Sequence, residues 1–249
     1  MSGHSKWATI KHKKGKLDAQ RGQAFTKLIR EITVAARSGG GDASMNPRLR
    51  TAVAAARAAN MPADNIKKAI QKGTGELPGV SYDEITYEAY GPGGVAILIE
   101  VVTDNRNRAV AELRHLLSRH GGNMGEAGCV NWMFTKQGFI QVDGKGVDED
   151  SLMMAALDAG ATDVARSGAV YDIYTEPAGL ETVRSVVEKA GITINSAKTA
   201  MIPKSTVKLD EKQAAQLMRL MEAIEDHDDV QNVYANFDID DEVMERLVG

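Results

Sequence analysis

The 249-residue sequence contains a single cysteine, Cys129, so no disulfide can form within the chain. No apolar run reaches the roughly 18–20 residues that a bilayer-spanning helix needs. No apolar segment follows the basic N-terminus, as one would in a secretory signal, and no transit segment precedes MSGHSKW, which disfavours a mitochondrial address. The sequence therefore predicts a cytoplasmic protein without a membrane partner.

The motifs of common catalytic and metal sites are also absent. The stretch GPGG at 91–94 lacks the Lys and Ser/Thr of a phosphate-binding loop and is typical of a hairpin turn. His115 and His120 are five residues apart, which places them on different faces of a helix. Cys129 lies in an apolar pattern that indicates a small core residue. We therefore expect no enzyme activity, no metal, no cofactor and no small-molecule substrate.

The net charge of −4 conceals an uneven distribution of charge along the chain. Residues 1–75 carry 15 Lys and Arg against 4 Asp and Glu, a net charge of +11. Residues 76–249 carry 15 against 30, a net charge of −15. A basic front on an acidic body is typical of a protein that contacts a polyanion with one end. A basic face that contacts only solvent is the alternative.

The basic front divides into an arm and a helical domain. Residues 1–16 show neither a helical nor a strand period, which predicts a mobile basic arm. An apolar stripe predicts a first helix from Leu17 to about residue 37. Asn46 is a candidate N-cap of a second helix, and a third helix runs from near Pro62 to Gly73 as its C′ residue. The sequence thus predicts a three-helix domain over 17–75.

A linker follows at 73–81, and the apolar period then changes to two. The segment 82–137 predicts the order β-β-α-β, with a hairpin closed by a glycine-rich connection. Its helix is expected over about 106–120, capped by Thr103 or Asp104, and its last strand over Cys129–Phe134. The following segment, 138–205, reads as β-α-β-β-α-β, which is the ferredoxin-like order.

One helix and one strand remain in 206–249, and such a pair cannot form a core alone. We expect this segment to complete the sheet of 82–137, which makes 138–205 an insertion. The sequence therefore predicts an α+β multidomain protein. An N-terminal three-helix domain precedes two α/β sandwich domains with antiparallel sheets, the last one ferredoxin-like and inserted in the other.

The candidate site residues are cations and aromatics of the basic front. Lys and Arg neutralise phosphates and release counterions, and an aromatic ring stacks on a base. The arm supplies Lys6, Trp7, Lys11, His12, Lys13, Lys14 and Lys16, and the helical domain supplies Arg21, Lys27, Arg30, Arg48, Arg50, Arg57, Lys67, Lys68 and Lys72. Trp7 could instead anchor the arm by packing.

Arg106 and Arg108 are two further candidates, at a helix N-terminus whose amides favour an anion. A capped helix start with exposed arginines explains them equally well.

Several long motifs occur in a fixed order: GHSKWATIKHKK, ADNIKKAIQKGTGE, YEAYGPGGVAILIEVVTDNRNR, GGNMGEAGCVNWMF, TAMIPK and DVQNVYANFD. Together they resemble the YebC/PmpR family from end to end. Its mitochondrial relatives include the translational activator of cytochrome oxidase. The resemblance implies one helical and two α/β domains and a non-enzymatic role in gene expression. Bacterial members are described as DNA-binding transcriptional regulators, and others act on translation at the ribosome.

Two functions therefore stay open. In the first, the protein binds duplex DNA and regulates transcription. In the second, it binds ribosomal RNA on the ribosome and relieves stalled elongation. No base-reading side chain can be assigned from the sequence, and a Lys- and Trp-containing arm suits irregular RNA at least as well as a DNA groove.

Overall fold

The structure is a computed structural model that describes residues 19–248, apart from the side chains of residues 19–21, 241, 244, 245 and 248. The arm predicted over 1–16 and the helix start predicted at Leu17 lie outside the described residues. The helices and strands, in chain order, are α1 (Ala19–Gly39), α2 (Pro47–Ala58), α3 (Ala63–Thr74), β1 (Asp83–Tyr90), β2 (Ala96–Thr103), α4 (Arg106–Arg119), β3 (Asn123–Met124), β4 (Phe134–Asp143), α5 (Glu149–Asp158), β5 (Ala161–Ser167), β6 (Val170–Thr175), α6 (Leu180–Lys189), β7 (Ile194–Pro203), β8 (Val207–Lys208), α7 (Glu211–Glu225), β9 (Val230–Ala235), β10 (Phe237–Asp238) and α8 (Asp241–Val248).

Helices α1 to α3 pack around a core of their own, in which Ile32, Leu49 and Ile66 are buried. Asn46 caps α2 as predicted, because its side-chain oxygen accepts from the Leu49 N–H at 3.1 Å. Its side-chain amide also donates to the carbonyl of Ala35 at 2.8 Å, so the cap ties α2 to α1.

Helix α3 does not end at Gly73, contrary to the prediction. Gly75 lies at the C-cap with a left-handed φ of 82°, and Gly73 lies inside the helix. A Cβ on Gly73 would lie 2.4 Å from the Thr33 carbonyl oxygen and 2.7 Å from the Ala36 Cβ. Gly73 therefore serves the close approach of α3 to α1 rather than termination of the helix.

The first sheet has the strand order β3-β1-β2-β9, with antiparallel pairing throughout. Strand β9 pairs with β2, with Ala235 opposite Ile97, so the C-terminal segment returns to this sheet. Helices α4 and α7 cover one face, where Leu113 and Leu217 pack with Ile99.

The second sheet has the antiparallel order β5-β6-β4-β7, which is the ferredoxin-like order. Helices α5 and α6 cover one of its faces through a core that includes Leu152 and Val183. A further apolar cluster joins the two sheets, with Leu98 and Tyr234 from the first and Phe139 and Ala200 from the second. The predicted fold class, an N-terminal helical region followed by antiparallel α/β units, is confirmed.

One local prediction in the first sheet is wrong. No strand covers Cys129–Phe134, because residues 131–133 form a 3₁₀ turn and β4 begins at Phe134. The Glu88 carboxylate accepts the backbone N–H groups of Gly128 and Val130, each at 2.6 Å, so these groups bond to a side chain rather than to a neighbouring strand. The division of the chain at 137/138 stays a prediction, and that position falls inside β4.

The cap of α4 also differs from the prediction. Asn105, rather than Thr103 or Asp104, lies at the N-cap, and its side chain accepts from the Arg108 N–H at 3.0 Å. Thr103 and Asp104 instead contact charged groups around the start of the helix, described below.

Candidate nucleic-acid interface

The structure describes the side chains of ten of the eighteen candidate residues. The seven arm residues Lys6, Trp7, Lys11, His12, Lys13, Lys14 and Lys16 lie outside the described residues, as does the side chain of Arg21. The ten others differ in what surrounds them, and these surroundings divide them into two groups.

Four candidates are exposed and have neither an ion pair nor a side-chain hydrogen bond among the described residues: Arg57 on α2, and Lys67, Lys68 and Lys72 on α3. Lys68 and Lys72 are four residues apart and therefore share one face of α3. The opposite side of the helix buries Ile66 in the core of the helical region. We call these four residues the open cation group.

Lys27 and Arg30 face the body of the protein. Lys27 Nζ donates to the carbonyl of Glu225 at 2.5 Å, and the Arg30 guanidinium donates to that of Asp228. Gln23, one turn earlier on α1, donates to the carbonyl of Asp226 at 3.3 Å. The carbonyls of Glu225 and Asp226 lie at the C-terminal end of α7, where the helix dipole favours cations, and that of Asp228 lies in the turn that follows. One side of α1 thus attaches the helical region to the first sheet.

Asp229 is the centre of this attachment. The residue is 2% exposed, and its carboxylate lies 2.7 Å from Arg30 Nη1 and 3.0 Å from Arg108 Nη2. The Thr103 hydroxyl donates to it at 2.7 Å. Burial alone would raise the pKa of Asp229, but the hydrogen bonds from Thr103 and Arg108 and the charge of Arg30 hold that pKa below its ordinary value.

Arg30 and Arg108 consequently have a structural role. Arg108 also lies 2.7 Å from Asp104, and Asn105 bonds to the Arg108 N–H. Arg106 lies 2.9 Å from Asp83 on the surface. The geometry around Arg106 and Arg108 is that of a capped helix start whose arginines are paired within the chain.

Arg48 and Arg50 also contact acceptors within the chain. Arg48 joins Glu31 at 2.7 Å and Glu84 at 2.6 Å, and the hydrogen bond to Glu31 is the main cause of a raised Arg48 pKa. Arg50 donates to the carbonyls of Ala43 and Ser44, each at 3.2 Å. These contacts leave the open cation group as the candidates that have neither an ion pair nor a side-chain hydrogen bond among the described residues.

The loop after β3 is a feature that sequence reasoning missed. Glu88, 8% exposed, accepts N–H groups from Gly128, Val130 and Asn131 at 2.6–2.8 Å. Burial opposes ionisation of this carboxyl, but the backbone donors outweigh it and lower the pKa of Glu88. The loop presents Trp132, whose side chain is 64% exposed.

Trp132 lies between two polar contacts. Its indole Nε1–H donates to the Cys129 carbonyl at 3.1 Å, and its own carbonyl accepts from Lys204 Nζ at 2.8 Å. The cluster of glycines in GEAGCVN was the available signal for a loop, since Gly128 has a left-handed φ of 87°.

The described residues contain no group of three or more His, Cys, Asp or Glu side chains that could hold a metal ion. No helix within 19–248 is long and apolar enough to cross a membrane. A cavity of about 320 Å³ lies beside the start of α5, lined in part by Asp148 and Ser151. Asp148 caps α5, since its carboxylate accepts from the Ser151 N–H at 3.0 Å and from the Ser151 hydroxyl at 2.6 Å. The polar atoms of these two side chains are therefore already hydrogen-bonded within the protein.

The amino-acid sequence matches a known protein family over most of its length. Residues 5–76 match the family model described as TACO1/YebC protein N-terminal domain, and residues 82–237 match TACO1/YebC second and third domain. A probable transcriptional regulatory protein of Geobacter sulfurreducens is 60% identical over 248 residues, covering 100% of each chain. One from Desulfotalea psychrophila is 58% identical over 248 residues, covering 99% of each.

A solved structure has the same fold. The crystal structure of a conserved hypothetical protein from Aquifex aeolicus superimposes with a TM-score of 0.82 and 48% sequence identity. The match covers 91% of this chain and 93% of that one.

Proposed function

Because the chain belongs to the TACO1/YebC family, we propose that it is a non-enzymatic regulator of gene expression that binds nucleic acid through its N-terminal helical region. Relatives that match it from end to end are named probable transcriptional regulatory proteins. Duplex DNA is accordingly the first candidate partner, and the cytoplasm is the expected compartment.

The observation that carries this proposal is the open cation group. Arg57, Lys67, Lys68 and Lys72 have no carboxylate partner among the described residues, whereas Arg30, Arg48, Arg106 and Arg108 do. A cation without a carboxylate partner retains its full attraction for a phosphate, and the release of condensed counterions drives such contacts. The acidic body repels phosphates overall, which favours the main contact on the helical side of the protein.

In this proposal, the arm predicted over 1–16 contacts nucleic acid together with the open cation group. It adds five lysines and Trp7 immediately before α1. Together with the open cation group, the arm gives a contact that spans several phosphates, and its affinity depends steeply on salt.

Ribosomal RNA is a second candidate partner, favoured by the chemistry of α3. Its exposed cations are lysines, which bind phosphates as point charges and do not read base edges as a bidentate arginine does. Contacts of this kind suit the backbone of folded RNA as well as that of duplex DNA. In this case the protein acts on translation at the ribosome.

The test is the salt dependence of binding to a duplex DNA and to a ribosomal RNA fragment. The variant Lys67→Gln/Lys68→Gln/Lys72→Gln is expected to flatten the log–log salt slope for DNA by up to about 2.7, at about 0.9 for each lost phosphate contact. The matched control is Lys145→Gln/Lys189→Gln/Lys212→Gln, which removes the same charge from exposed positions of the sheet domains.

Equal slopes for the two triple variants contradict the proposed interface. The partner is identified by sedimentation of a cell extract. Co-migration with ribosomal particles that survives DNase but not RNase supports the ribosomal role, and recovery only with DNA supports the transcriptional one.

A further inference from the structure

The exposed indole of Trp132 is unusual because its orientation is fixed. A tryptophan that is 64% exposed leaves most of its apolar surface in water, and nothing in the described residues covers it. The hydrogen bond from Nε1 to the Cys129 carbonyl holds the ring at one edge. Because the only polar atom of the indole is already bonded, the remaining recognition surface of the ring is its π face.

The backbone that carries Trp132 is also fixed. The Glu88 carboxylate holds three backbone donors of the preceding loop, those of Gly128, Val130 and Asn131, the last at 2.8 Å. The Tyr90 hydroxyl donates to the Cys129 carbonyl at 3.2 Å, the same carbonyl that holds the indole. A ring whose position is set before binding loses little conformational entropy when a partner stacks on it.

A cation is bonded to the backbone of the residue that carries this ring. Lys204 Nζ donates to the Trp132 carbonyl at 2.8 Å, and the Lys204 N–H donates to the Met133 carbonyl at 2.8 Å. Lys204 is exposed and forms no ion pair among the residues that the structure describes. An ammonium has three donors, so two of them remain available to a ligand.

An exposed aromatic face and an ammonium bonded to the carbonyl of the same residue match the two parts of a nucleotide, its base and its phosphate. We propose that Trp132 and Lys204 form a second nucleic-acid contact, in which the indole stacks on an unpaired base and the ammonium binds an adjacent phosphate. Stacking platforms of this composition serve single-stranded nucleic acids, because every base offers a π face. A paired base inside a duplex is already stacked on both faces, so the contact selects unpaired nucleotides.

Trp132 lies on the loop between β3 and β4 and Lys204 directly follows β7, whereas the open cation group lies on α2 and α3. The inference rests on the proposed function and adds a substrate preference to it. The helical region binds phosphates of any strand, and the Trp132 loop requires a base that is free to stack.

The chain has only two tryptophans, which allows a direct optical test. In a Trp7→Phe background the sole remaining indole is that of Trp132. Titration with an eight-nucleotide single-stranded RNA, and with DNA of the same sequence, is expected to quench its emission. Quenching by either oligonucleotide supports the site, since the base and the phosphate are common to both.

Affinities are then compared within the same background. Trp132→Ala is expected to weaken binding of the oligonucleotide between about fivefold and a hundredfold, the range for loss of one stacked base. Lys204→Gln is expected to flatten the salt slope by about 0.7, the value for one single-strand phosphate. An abasic oligomer of equal charge is expected to bind Trp7→Phe and Trp7→Phe/Trp132→Ala equally.

The matched control is Met154→Ala, which removes an exposed apolar side chain, 65% exposed, from α5. If Trp132→Ala binds the oligonucleotide as tightly as Met154→Ala does, the stacking site is refuted while the open cation group stands. If the parent protein binds no nucleic acid at all, the proposed function fails and this site fails with it. Equal quenching by the abasic oligomer also overturns the site, because it shows a charge effect without stacking.

Discussion

Removing the charge of Asp229 should loosen the attachment of the helical region to the first sheet. In Asp229→Asn the amide oxygen can still accept from the Thr103 hydroxyl, which lies 2.7 Å away in the native protein. The change leaves Arg30, whose side chain is 13% exposed, without its carboxylate. The variant therefore removes the negative charge while it keeps the size and shape of the side chain.

The cost follows from the burial of each partner. A charge-assisted hydrogen bond contributes about 1.5–3 kcal/mol, and Arg30, with its low exposure, should account for most of that amount. Arg108 is 42% exposed, so water screens its pair with Asp229 and the loss there stays below about 1 kcal/mol. We expect Asp229→Asn to lower the free energy of unfolding by about 2–3 kcal/mol at pH 7.

The cost should also depend on pH. Because the pKa of Asp229 is lowered in the folded state, the stabilisation by its charge is fully present above the unfolded pKa of about 4. It is lost as the pH falls through the lower folded pKa. The difference between the native protein and Asp229→Asn should therefore be constant from pH 7 to about pH 5 and shrink below pH 4.

Urea unfolding followed by circular dichroism measures this difference. Asp228→Asn is the matched control, since it removes the same charge from the adjacent exposed residue, and Arg30 contacts the Asp228 backbone carbonyl rather than its side chain. Hydrogen exchange should show lower protection of α1 in Asp229→Asn alone. If the two variants unfold at the same urea concentration, the buried carboxylate does not hold the helical region and the reasoning is refuted.

Two further predictions concern the basic front. Deletion of residues 1–16 should weaken nucleic-acid binding while leaving the melting temperature of 17–249 nearly unchanged, and a truncated chain that binds as tightly as the full one would contradict this. Gly73→Ala should cost about 1–3 kcal/mol, because the added Cβ would lie 2.4 Å from the Thr33 carbonyl oxygen. Gly22→Ala in α1 should instead stabilise the helix by about 0.5–1 kcal/mol, because no described atom outside the adjoining residues and helix backbone lies within 4 Å of the added Cβ. Equal melting temperatures of the two variants would refute this distinction.

Periodic features of the fold could be predicted from the sequence. The apolar stripes of α1 to α3 and the cap at Asn46 depend on residues within a few positions of each other. The return of β9 to β2 followed from counting the elements needed to form a core, although the two strands are more than a hundred residues apart. Features that depend on local residue spacing, or on the number of elements a core requires, can therefore be predicted from the sequence alone.

Contacts between distant charged residues could not be predicted in this way. Arg30 and Asp229 are 199 positions apart, and nothing in either local sequence indicates the pair. Glu88 holds the loop around Val130 across 42 positions, which converts an apolar strand pattern into a loop. The sequence shows the number of cations, but only the fold shows which of them already have partners. The exposure of Trp132 was missed because it depends on this loop, which Glu88 holds from a distant part of the sequence.

The central claim is that the open cation group contacts phosphates while Lys145, Lys189 and Lys212, on the acidic body, do not. Lysine acetylation with and without saturating duplex DNA or ribosomal RNA, read by mass spectrometry, tests it most directly. The account predicts protection of Lys67, Lys68 and Lys72, with Lys145, Lys189 and Lys212 modified at unchanged rates. Unchanged modification of the α3 lysines beside protection of the other three would contradict it.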